Sequence, residues 1–195
     1  MTQPMRRARV FGAMAACLLG LAGLPAPAPA FDFSGEKALL ASTPDRARIR
    51  IGTVRFLPLA SSADAKFEIR LDTSVMTDHF LSMREFKCLP GGTEISCFVP
   101  YPHAHPGVVS AGKLAWLEHN LLFLYKRPTD FGAKLWNGVI FKFTEQGQAL
   151  VGHPQAIDLN RISAPPDSAT EPPYGPGERD DFPPSTRWLQ ELRIE

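Results

Sequence analysis

Val109–Arg127, VSAGKLAWLEHNLLFLYKR, is the stretch on which the fold class turns. Leu114, Leu117, Leu121 and Leu124 recur at intervals of three and four. That spacing puts them on one stripe of an amphipathic helix. Ser110 supplies an N-cap, with Val109 and Leu114 in the positions of a hydrophobic staple. Lys126 and Arg127 suit the negative end of the helix dipole, and Pro128 stops it. The pattern predicts one main helix, roughly 110–126. Trp116 and Phe123 are seven residues apart on the opposite side, with His119 between them. A second apolar face has two readings: it is covered by another part of the chain, or it binds a ligand or partner. Trp116, Phe123 and, more weakly, Trp136 are the ligand-binding candidates.

The residues around this helix read as strands. Lys66–Asp72 (KFEIRLD) alternates, with Phe67, Ile69 and Leu71 on one face and charges on the other. Arg48–Leu57 alternates too, but Gly52 breaks the phase; a bulge there brings Ile49, Ile51, Val54 and Phe56 to one face. His79–Leu89 and Glu94–Val99 form a hairpin. With Gly92-Thr93 as a type II′ turn, Cys88 lies opposite Cys97. The two cysteines are therefore assigned to a disulfide. Val139–Thr144 turns at Gln146-Gly147 into Gln148–His153, a register that sets Phe143 against Leu150. Phe31–Ser42 is read as a short helix or an arm. The expected fold class is α+β, a curved antiparallel sheet of about six strands on the one helix.

Domain limits follow from composition. Arg6, Arg7 and Arg9 precede the apolar run Val10–Leu24, and Ala28-Pro29-Ala30 fits small-x-small cleavage. Residues 1–30 are thus expected to be a secretory signal peptide, cut between Ala30 and Phe31, giving a periplasmic or secreted protein. The run is too short for a transmembrane helix, so no membrane-spanning segment is expected after cleavage. Residues 31–163 form a single domain. Residues 164–185 are a connector containing seven prolines. Residues 186–195 (TRWLQELRIE) are apolar again and are expected to dock on the domain.

Charge narrows the partners. Loss of Arg6, Arg7 and Arg9 takes the 21 basic residues to 18 against 20 acidic ones, a net charge of −2. No long run of one sign occurs, which argues against nucleic acid. Among chemical motifs, His103-Ala104-His105 is the one with ligand character. Residues two apart on an extended backbone project to one side, but a metal site needs three or four donors. Gly-x-Ser-x-Gly, His-Glu-x-x-His, the phosphate loop and the dinucleotide fingerprint are all absent from the sequence. No catalytic set is assigned, and no cofactor is expected beyond a divalent metal at His103 and His105. The leading expectation is a secreted, non-catalytic periplasmic domain that binds an apolar small molecule or an envelope protein. Two alternatives are a metal-binding protein or metal-dependent enzyme using His103 and His105, and an envelope scaffold tethered by its C-terminal tail.

Overall fold

In the computed structural model, residues 30–46, 48–81 and 84–195 are described; the expected signal peptide lies outside them, apart from Ala30. The strands are β1 (Gly35–Ser42), β2 (Ile49–Pro58), β3 (Ala65–Leu71), β4 (Thr77–Leu81), β5 (Arg84–Leu89), β6 (Ile95–Val99) and β7 (Val108–Val109). The one α-helix among the described residues, α1 (Ala115–His119), precedes β8 (Leu122–Lys126), β9 (Gly138–Gln146), β10 (Ala149–Ile157), β11 (Asp180–Asp181) and β12 (Glu191–Ile194). All twelve strands belong to one antiparallel sheet. This overturns the expected α+β class, with about six strands on a helix at 110–126. Only five residues of that segment are helical, and its second half is a strand.

The reason lies in how β8 is buried. Phe123 enters one core cluster, with Leu39, Phe56, Phe141 and Leu192, whereas Leu122 and Leu124 enter a second, with Ile140, Ile157 and Tyr174. A strand buried on both faces has no polar side and so loses its alternation. Its unbroken apolar run fits a helical stripe equally well. The helix ends at Asn120, whose backbone N–H reaches the carbonyls of Trp116 and Leu117 and whose side-chain amide also donates to Trp116 O at 2.8 Å. Gly35–Ser42, read as helix or arm, is an inner strand between β2 and β12.

The spatial order is β4-β5-β6-β8-β9-β10-β12-β1-β2-β3-β7, with β11 also on β10. The first core cluster draws on β1, β2, β3, β7, α1, β8, β9, β10 and β12 together. The sheet therefore rolls around that core. Among the described residues it does not close by strand pairing: α1 lies in the seam, in contact with both β7 and β9. The two halves of the roll are joined by β12, which pairs with β10 through Leu150–Gly152 and with β1 through Leu39–Ser42.

Local details fix the registers. The β1–β2 pairing slips between Leu39 and Leu40, which face Gly52 and Arg50, so Ile51 is the bulged residue. Ile51, Val54 and Phe56 are core, and Ile49 packs beside them. Cys88 pairs with Cys97, and a disulfide joins them. Gly92 does not adopt positive φ, so the hairpin lacks the type II′ turn. Gly91 instead lets Trp188 close onto the hairpin; a Cβ there would lie 2.6 Å from the indole ring. Between β9 and β10 the register is two residues from the expected one: Phe143 faces Gly152, and Leu150 faces Glu145. The Phe143 ring occupies the space a side chain at 152 would fill, its nearest carbon 2.9 Å from an ideal Cβ.

Candidate functional site

The unclosed seam leaves a cleft of about 1020 Å3 between β7, α1, β9 and the segment Pro172–Asp181. Its apolar wall comes from Val109, Leu114, Trp116, Phe143 and Tyr174, and its rim carries Lys113, Lys142, Glu145 and Asp181. Gly112 adopts φ +69° at the turn into α1, and its N–H is held by Glu145 Oε1 at 3.1 Å.

A buried polar frame fastens the proline-rich segment over this cleft. Arg179 Nη1 donates to Glu118 Oε2 at 2.6 Å, and Arg179 Nε donates to Tyr174 O at 2.9 Å. The other Glu118 oxygen accepts the Phe143 N–H at 2.9 Å. His119 is fully enclosed. Its Nε2 accepts the Tyr174 N–H at 3.0 Å, so Nδ1 carries the proton and donates to Ala115 O at 2.7 Å. Both ring nitrogens are thus committed. Burial, aided by the Arg179 and His105 charges and opposed by the Ala115 bond, lowers the His119 pKa to about 4. Tyr174 O–H donates to Asp158 O at 2.9 Å, and burial raises that phenol well above its usual value. Sequence reasoning missed Glu118 and Arg179, which stand 61 positions apart. A buried acid in an apolar run was the signal available for the first; nothing local marks the second.

The sequence-chosen residues are dispersed. Trp116 lines the cleft and stacks on His105, ring centroids 5.1 Å apart. Phe123, 1% exposed, lies in the first core between Phe98 and Phe141. Trp136 is at the other end of β8, 64% exposed, beside a smaller polar pocket. The two-sided aromatic helix that linked Trp116 to Phe123 does not exist, because Phe123 belongs to β8.

His103 and His105 flank Tyr101, at 5.6 and 5.8 Å between ring centroids. His103 Nε2 donates to Ile162 O at 3.0 Å. His105 is stacked between Trp116 and Phe67, and burial lowers its pKa. Among the described residues, no three His, Cys, Asp or Glu side chains converge to hold an ion. None of their helices is long and apolar enough to cross a membrane. Comparison with family models, with curated proteins and with solved structures finds no match to this chain.

Proposed function

We propose that the protein is a secreted, non-catalytic domain of the periplasm that holds an apolar small molecule in the seam cleft. The cleft carries this reading. It is a concave space of about 1020 Å3 with an apolar wall and a charged rim, and concave clefts with apolar walls are where small molecules bind. The buried groups beside it are committed to structure: both nitrogens of His119 and both oxygens of Glu118 have partners. That commitment supports binding over proton transfer. The disulfide and the signal-like residues 1–30 support an oxidising, extracytoplasmic setting.

The test is titration with 1-anilinonaphthalene-8-sulfonate, whose emission rises in apolar sites. Ala115 lines the cleft and is partly exposed, so Ala115→Trp fills it. The wild type should bind saturably, and A115W should not, with unchanged melting temperature. Phe131→Ser/Trp136→Ser, remote from the cleft, should leave binding intact. Equal binding by A115W refutes the cleft as the site.

A further inference from the structure

A second site lies on the β8–β9 connection, Arg127–Asn137. Three large apolar side chains are exposed among the described residues, and two of them, Phe131 at 100% and Trp136 at 64%, are on this loop. The loop is built as two successive turns, with Asp130 N–H donating to Arg127 O and Asn137 N–H donating to Lys134 O. Ala133 and Leu135 pack inward on the second core, and Leu135 O accepts the Leu159 N–H at 2.9 Å. The aromatic residues are therefore presented outward from an anchored frame.

Beside Trp136 is a polar pocket of about 420 Å3 with four cations, Lys126, Arg127, Lys134 and Arg187, and two acids, Glu94 and Asp130. Each acid is already engaged. Glu94 Oε2 lies 3.2 Å from Arg187, and Asp130 lies between Arg127 at 4.0 Å and Lys134 at 3.8 Å. The Lys126 ammonium donates to the Asp130 carbonyl. Arg187 is laid flat on Tyr125, its guanidinium carbon 3.7 Å from the ring centroid. The excess is positive and lines the same pocket as the exposed indole.

We propose that this loop docks the protein on an anionic lipid surface, Phe131 and Trp136 entering the headgroup region and the cationic pocket receiving a lipid phosphate. Indole and phenyl rings partition to the bilayer interface, and cations beside them add attraction to anionic leaflets. A protein partner would more usually bury a continuous patch, whereas here two separately exposed aromatic side chains share one loop with basic groups. This site is separate from the cleft and does not depend on it.

The tryptophans make the test direct. Trp116 and Trp188 are 7% and 8% exposed, so quenching by a soluble quencher reports Trp136. The purified protein is mixed with vesicles of phosphatidylcholine alone, or of equal parts phosphatidylcholine and phosphatidylglycerol. With the anionic vesicles, Trp136 emission should shift to the blue, lose its quenching, and the protein should co-sediment. Binding should weaken as salt rises. Phe131→Ser/Trp136→Ser should abolish sedimentation. Arg127→Gln/Lys134→Gln should weaken it by about thirtyfold, from roughly fivefold per surface cation. Both side chains are exposed, so the fold should be unaffected.

Equal binding to both vesicle types, or binding untouched by the aromatic pair, overturns the proposal. So does protection of Trp136 by inorganic phosphate with no vesicle binding, which would make the pocket a free-anion site. Loss of a captured envelope protein in the loop variants, again without vesicle binding, would assign the surface to a protein and refute the lipid.

Discussion

Replacing Arg179 by Met should do more damage than any change in the exposed rim of the cleft. Met keeps part of the apolar stem but removes both hydrogen bonds, to Glu118 at 2.6 Å and to Tyr174 O at 2.9 Å. Glu118 is then left as a buried carboxylate with the Phe143 N–H as its one partner. The two side chains are 9% and 8% exposed, so water screens the loss little. Orphaning one member of such a pair costs about 3–5 kcal/mol. For a chain of this size that lowers the melting temperature by roughly 10 °C. Urea unfolding at neutral pH, followed by tryptophan emission, measures it. Glu118→Gln should also be costly, because it strands the guanidinium. The double variant should be milder than the sum of the two by about 3 kcal/mol, since neither charge is left alone. Single losses below about 1 kcal/mol, or strict additivity, would refute the view that this pair clamps the Pro172–Arg179 segment.

Three other places in the fold can be probed in the same way. His119 is held neutral with a pKa of about 4, below the ordinary 6.5; the unfolded chain takes up its proton first, so stability should fall by about 3 kcal/mol as pH drops from 6.5 to 4. His119→Gln should remove that part of the slope; an unchanged pH profile counts against the assignment. Cys88→Ala/Cys97→Ala should lower stability by roughly 2–3 kcal/mol, as expected for so short a loop, and a loss below about 1 kcal/mol would contradict it. Gly152→Ala should cost about 1–3 kcal/mol by driving a methyl into the Phe143 ring, and adding Phe143→Leu should recover part of it. No recovery would mean the ring is not the obstacle.

What could be read from sequence divides along a physical line. Lys66–Asp72 was legible because one face of β3 meets the core and the other meets water. The Cys88–Cys97 pairing was legible because a hairpin fixes its own register. The bulge beside Gly52 was legible as a phase break between two apolar pairs. β8 was not, since Leu122, Phe123 and Leu124 are all buried and nothing polar marks a face. β1 was hidden for a similar reason: Leu39 and Ala41 are core, but Leu40 between them is half-covered, so the alternation is faint. The candidate site divides likewise. Trp116 was reached through a helix drawn too long, and it does line the cleft. Arg179 sits in a proline-rich stretch that reads as a connector, and its partner comes from α1, a distance in sequence that no local pattern spans.

The position of β12 bears on how the molecule is made. The pairing that unites the roll joins Leu39 to Ile194, about 150 residues later. Until Ile194 has been synthesised, β1, β2 and β3 have no strand to connect them to β10, and the shared core cannot seal. Contacts so distant along the chain also make folding slow. A nascent chain emerging from the ribosome therefore stays open until β12 has followed β1 by about 150 residues. If it is threaded through an export channel, that delay is useful, because a chain that cannot finish folding early remains thin enough to pass. In that case native structure would form on the far side, with Cys88 and Cys97 oxidised as β12 slides between β1 and β10.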